Sequence, residues 1–152
     1  MVILKNIHVR PGERQMLRLL SIFACTVLLA ANIFVRTPAA DNAVVYFLSP
    51  AEGETVTNPV VIKFGVKNMS VAPAWVNADN TGHHHLLIDV ELPALNLPIP
   101  ANQQYRHYGQ GETETELALA PGRHTLQLLM GDAAHIPHDP PVFSERITIT
   151  VR

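Results

Sequence analysis

The chain of 152 residues has one cysteine, and few of its residues are charged or aromatic. Because Cys25 is alone, no disulfide can form within the chain, and an apolar core must stabilise the fold. Basic residues are scarce after position 40, where six lysines and arginines face twelve aspartates and glutamates. This acidic excess predicts that neither nucleic acid nor an anionic membrane surface is a partner.

One long apolar run is present, at residues 17–35, and several basic residues precede it. This order is typical of a secretory signal, and Thr37 and Ala39 suit the minus-three and minus-one positions of a cleavage site. The run also reaches the roughly 20 residues that cross a bilayer, so an uncleaved membrane anchor is the alternative. Residues 1–40 are therefore predicted to be a signal peptide or anchor. Residues 41–152 are predicted to be exported to the periplasm or beyond, with membrane contact only through an uncleaved N-terminal segment.

Residues 41–152 are predicted to form one all-β domain, a small immunoglobulin-like β-sandwich that follows the N-terminal signal or anchor helix. Short runs of β-branched and aromatic residues, separated by turn residues, predict strands at residues 44–48, 60–66, 84–90, 114–119, 123–130 and 147–151. Recurrent prolines exclude a central strand at residues 92–100, where we expect a long surface loop. A domain of about 110 residues is large enough for one core and too small for two.

Histidine is the most informative residue type, because seven of the eight histidines lie between His83 and His138. Side chains two positions apart on a strand point the same way, so His83 and His85 are predicted to be able to chelate one metal ion. His107, His135 and His138 are expected in loops that have no need of histidine for folding. Imidazole suits copper and zinc alike, so these five histidines predict a Cu(II) or Zn(II) site without selecting the metal.

Four further residues are candidates for additional ligands or for groups that orient the ligands. His84 and His124 share the apolar faces of their strands, so we prefer to interpret both as packing histidines. Asp89 lies on the same strand face as His83 and His85, and Asp132 precedes the last pair of histidines in the chain. Either carboxylate could bind the ion or orient an imidazole. An ordinary surface histidine is the competing interpretation at each loop position.

Four stretches of sequence occur in a fixed order: Gly-His-His-His-Leu-Leu-Ile-Asp at residues 82–89, then residues 107–114, residues 121–126 and residues 131–138. Together they resemble a bacterial family of exported domains, the domain of unknown function 4399. The resemblance extends from Val44 to Val151. It implies a periplasmic β-domain, and it offers no catalytic residue.

Three functions are compatible with these patterns. We expect a non-catalytic periplasmic protein that binds a divalent metal ion and whose protein partner is unknown. The second is a structural or interaction module of the cell envelope, in which the histidines only join loops by hydrogen bonds. The third and least expected is a metal-dependent enzyme, with an open coordination position and a carboxylate such as Glu112 as base.

Overall fold

The computed structural model describes residues 36–152, so residues 1–35 of the predicted leader, including its apolar run, lie outside the described residues. Within the described part the regular structure is entirely β, and no helix there is long and apolar enough to cross a membrane. The strands are β1 (Val44–Ser49), β2 (Thr55–Val56), β3 (Val60–Lys67), β4 (Ser70–Val71), β5 (Thr81–Ile88), β6 (Tyr105–Tyr108), β7 (Glu114–Leu117), β8 (Gly122–Gly131) and β9 (Ile147–Val151).

The strands form two sheets. The smaller sheet has the order β1-β3-β7, and all of its pairs are antiparallel. The larger sheet has the order β2-β9-β8-β5-β4, and β6 also pairs with β5. β5 is therefore central, with β8 along one edge, while β4 and β6 pair with successive parts of its other edge. The prediction of an all-β, sandwich-like fold is confirmed.

The main core lies where apolar side chains of both sheets pack together. Ile62 and Phe64 of β3 pack with Leu86 of β5 and with Leu126 and Leu128 of β8, and each is at most 2% exposed. Because side chains alternate along a strand, this cluster uses one face of each strand. Burying side chains of this size is worth about 1.5–3 kcal/mol each, which stabilises the fold without a disulfide.

The opposite face of the larger sheet is covered as well. Leu87 and Leu129 pack there with Ile99, which belongs to the proline-rich segment at residues 92–100. That segment contains no strand, in agreement with the predicted loop. β5 is consequently buried on both faces from Gly82 to Ile88. Polar side chains on either face of β5 are therefore largely removed from water.

Candidate metal centre

β5 carries three consecutive histidines whose side chains alternate between the two faces of the sheet. His84 points into the main core, where its ring centroid lies 5.0 Å from that of Phe64. Its Nδ1 donates a hydrogen bond of 3.1 Å to the carbonyl oxygen of Glu112. Burial lowers the pKa of His84 to about 4, so the ring is neutral at pH 7. His84 is thus a packing histidine of the core.

His83 and His85 point to the other face, and both side chains are buried, at 1% and 0% exposure. Their Nε2 atoms are 3.0 Å apart. Two neutral imidazoles achieve this separation when one Nε2–H donates to the lone pair of the other Nε2. The Nδ1 atom of His85 is buried and has no hydrogen-bond partner among the described residues.

His107 comes from β6, the strand that pairs with β5. The register places His107 directly opposite His85, so its ring lies on the same face, with centroids 5.0 Å from His85 and 4.9 Å from His83. The expectation that His107 lies in a loop is therefore wrong. The polar run at residues 105–108 forms a short strand because the edge of β5 supplies its hydrogen-bond partners.

His135 reaches the same face from the segment between β8 and β9. Its ring centroid lies 4.7 Å from that of His107, 5.0 Å from His83 and 6.2 Å from His85. The residue has a φ of 62°, a left-handed conformation that is costly for a side chain with a Cβ. Asp132 holds this turn, because its carbonyl accepts the backbone N–H of His135 at 2.8 Å. We call His83, His85, His107 and His135 the four-histidine cluster.

Histidines of the cluster are held in their neutral form. Burial, followed by repulsion from His107 and His135, lowers the pKa of His83 to about 3. Burial, followed by repulsion from His83 and His107, lowers the pKa of His85 to about 2. Burial also lowers the pKa of His107. A metal ion binds the neutral imidazole, so a low pKa means that protons compete little with the ion at pH 7.

The distances within the cluster are close to those of a metal site. His83, His107 and His135 each offer a ring nitrogen, and these three atoms lie within 4.8 Å of one another. Nitrogens bound tetrahedrally at 2.0–2.1 Å from one ion are about 3.4 Å apart. The Nε2 separation of 3.0 Å between His83 and His85 lies slightly below that value, and 4.8 Å lies above it. The ring nitrogens of His83, His107 and His135 would have to approach one another by at most about 1.4 Å to reach tetrahedral spacing.

His138, the fifth predicted ligand, lies apart from the cluster. Its ring is buried, and its Nε2 donates to the carbonyl oxygen of Thr81 at 3.0 Å. The ring packs over Gly82, where a Cβ would approach its Cε1 to 2.9 Å. His138 therefore joins its own loop to the start of β5.

His124 and Asp89 form a pair at the other end of β5. The Nδ1 of His124 lies 2.6 Å from Oδ2 of Asp89, and its Nε2 donates to the carbonyl oxygen of Ala120 at 2.8 Å. Asp89 follows His83 by six residues, which is about 20 Å along an extended strand. Neither residue is therefore within reach of the four-histidine cluster.

Asp132 organises the turn that carries His135. Its Oδ1 accepts the backbone N–H groups of Ala134 and Ile136, both at 2.9 Å, and its Oδ2 accepts the hydroxyl of Thr37 at 2.7 Å. Both carboxylate oxygens are thus engaged by the chain itself. Asp132 acts on the cluster by holding the turn.

Gly109 contributes to the site and was missed by the sequence analysis. A Cβ at this position would overlap the ring of His107, so only glycine leaves that ring its space. The available signal was its position two residues after His107, in the turn that follows β6. That signal had no value while His107 was placed in a loop.

A comparison with family models matches residues 62–152 to the Domain of unknown function (DUF4399) family. The match includes all four members of the cluster and more than half of the chain. No curated protein and no solved structure matches the chain. The chain belongs to the DUF4399 family.

Proposed function

We propose that this protein binds one divalent transition-metal ion, Cu(II) or Zn(II), at the four-histidine cluster, and that it does so without catalysis. We further propose that it works outside the cytoplasm, since a leader-like pattern precedes the domain. The observation that carries the proposal is the convergence of four imidazole rings from three separate chain segments. Their centroids are 4.7 to 6.2 Å apart.

The burial of the cluster supports an ion rather than a structural role for the rings. Two of the four rings, His83 and His85, are almost fully buried, and the Nδ1 of His85 has no hydrogen-bond partner among the described residues. If these histidines served only to stabilise the fold, each buried polar atom would be expected to have a complementary hydrogen-bond partner. A bound cation would instead give every ring a ligand bond.

The position of the cluster also supports exchange of the ion with solvent. His107 is exposed and His135 is partly buried, whereas His83 and His85 lie beneath them. An ion can therefore reach the outer pair of imidazoles first and then the inner pair. Such access suits metal buffering or delivery.

A second candidate is a three-ligand centre with an open position, as in metal-dependent enzymes. The observation in its favour is that His83, His107 and His135 form a compact group of ligand atoms, while the His85 and His135 rings are 6.2 Å apart. Four protein ligands would close a tetrahedral shell, and three would leave a site for water or substrate. The role of His85 separates the two candidates.

Isothermal titration of the purified full chain with Cu(II) and with Zn(II) tests the proposal. We expect about one ion per chain, and at least tenfold weaker binding in His83→Ala, His85→Ala, His107→Ala and His135→Ala. His124→Ala is the matched control, because that histidine lies outside the cluster, and it should bind as the parent does.

The possible results are distinct. Normal affinity in His85→Ala, with weakened binding in the other three variants, would favour the three-ligand centre. Absence of saturable heat with both ions would refute metal binding and leave an envelope interaction module as the better description.

A further inference from the structure

The segment at residues 36–39, which we call the N-terminal brace, lies against the loop that carries His135. This histidine loop comprises residues 132–139. The backbone N–H of Asp139 donates to the carbonyl of Thr37 at 2.9 Å, and the N–H of Ala39 donates to the carbonyl of Asp139 at 3.1 Å. The brace therefore pairs with the end of the histidine loop as a short parallel bridge.

Arg36 adds side-chain contacts to the same end of the loop. Its Nε donates to the carbonyl of Pro137 at 3.1 Å, and a terminal guanidinium nitrogen donates to the carbonyl of His138. The other terminal nitrogen lies 3.1 Å from the carboxylate of Asp139. The planar guanidinium thus holds three successive residues of the histidine loop, a role that suits its fixed fork of donors.

Thr37 contacts the other end of the loop through Asp132. Its hydroxyl donates to Oδ2 of Asp132 at 2.7 Å, while Oδ1 accepts the N–H groups of Ala134 and Ile136. Asp132 is 5% exposed, so its carboxylate depends on these donors in place of water. The hydroxyl of Thr37 thus supplies a hydrogen bond to the buried carboxylate of Asp132, the side chain that fixes the turn around His135.

The position of the His135 imidazole depends on contacts that fix the backbone of this residue. Its left-handed φ of 62° persists only while neighbouring contacts fix the turn. These contacts are the bond from its N–H to Asp132 and the bond of 2.8 Å that its carbonyl accepts from Ile99. A small rotation at this residue would carry the imidazole away from His83 and His107.

We propose that the N-terminal brace is a positioning element of the metal centre, in which Thr37 acts through Asp132 to fix the imidazole of His135. This inference rests on the proposed function. Loss of a residue that orients a metal ligand typically weakens metal binding about 10- to 100-fold. Thr37 is more remote than such a residue, because it acts on His135 only through Asp132. We therefore expect the lower end of that range when its hydroxyl is lost.

The test compares Thr37→Val, which removes the hydroxyl at nearly constant shape, with Thr37→Ser, which retains it. Titration of the full-length variants with Cu(II) and Zn(II) should show about tenfold weaker binding for Thr37→Val. Thr37→Ser should bind within about threefold of the parent. Asn58→Ala is the control, because it removes another side-chain bridge to a distant loop, at Leu119, and should leave the affinity unchanged.

A double-variant cycle with His135→Ala separates positioning from a general loss of stability. If Thr37 acts through His135, Thr37→Val should cause no further loss of affinity once that imidazole is absent. Equal loss in both backgrounds, or parental affinity in Thr37→Val, would overturn this inference alone. A parent chain that takes up neither ion would overturn the proposed function, and this inference with it.

Discussion

Replacement of Gly109 by alanine should weaken metal binding while leaving the fold intact. A Cβ at this position would lie 2.5 Å from Nε2 and 3.2 Å from Nδ1 of His107. Ordinary van der Waals contact requires about 3.5 Å, so the ring must move by about 1 Å. His107 is exposed and can swing outward. Gly109 itself does not have a positive φ, so alanine adds no backbone strain.

The expected magnitude follows from that displacement. A shift of about 1 Å is half the length of a metal–nitrogen bond, and we expect a loss of affinity of about 30-fold, within the range seen when ligand orientation is lost. With the free ion at 100 times the parental Kd, the ion stabilises the parent by about 2.7 kcal/mol. The same concentration would stabilise Gly109→Ala by about 0.9 kcal/mol. For a domain of this size the metal-induced rise in Tm would fall from about 10 °C to about 3 °C.

Scanning calorimetry of the full chain, with and without Zn(II), measures this difference. His107→Ala sets the largest loss that displacement of this ring can cause, and Gly109→Ala combined with His107→Ala should match His107→Ala alone. If Gly109→Ala retains the full rise in Tm while His107→Ala loses it, the ring does not occupy the space above Gly109 and the geometric reasoning is refuted.

The remaining predictions concern stability and its dependence on pH. Leu128→Ala should lower the free energy of unfolding by about 2–5 kcal/mol, because Leu128 is fully buried in the main core; urea titration would show a smaller loss if the cavity collapses. Burial lowers the pKa of His124, but the hydrogen bonds to Asp89 and Ala120 outweigh it and raise the pKa above 6.5. The His124–Asp89 pair should therefore add about 1 kcal/mol, after solvent screening, to the free energy of unfolding below about pH 6.5. That contribution should be lost as the pH rises through the raised pKa of His124. His124→Gln should remove this pH dependence in urea titrations, and an unchanged profile would contradict the assignment.

Much of the fold was predictable because alternation of apolar residues reports directly on burial. The runs that contain Ile62, Leu86, Leu128 and Ile149 were each predicted as strands, and each lies in the main core. The loop at residues 92–100 was predictable too, since proline cannot donate in a ladder. Local pattern suffices wherever one strand face is apolar.

β6 was not predictable by the same reasoning. Its four residues, Tyr105–Tyr108, are polar for the most part and exposed except for Tyr108 and part of Tyr105. They are extended because the free edge of β5 supplies hydrogen-bond partners to them. That pairing depends on a strand about twenty residues earlier in the chain, and local sequence carries no sign of it. The two-residue strands β2 and β4 were missed for the same reason.

The candidate site, too, was predictable only where local pattern determines the position of a side chain. Parity alone placed His83 and His85 on one face and His84 on the other, as the structure has them. The arrival of His107 and His135 at that face depends on register and on a turn held by Asp132, which are long-range properties. His138 follows His135 by three residues, yet the turn directs it to Thr81. The apolar run on which the leader prediction depends lies outside the described residues.

The N-terminal brace also lies where an export peptidase is expected to act. Cleavage after Ala39 would release Arg36 and Thr37 with the leader, and the carboxylate of Asp132 would retain only its two backbone donors. A chain left uncut would retain every contact of the brace. Under the proposals above, the cut and uncut chains would share the same imidazoles but would bind the ion with different affinity.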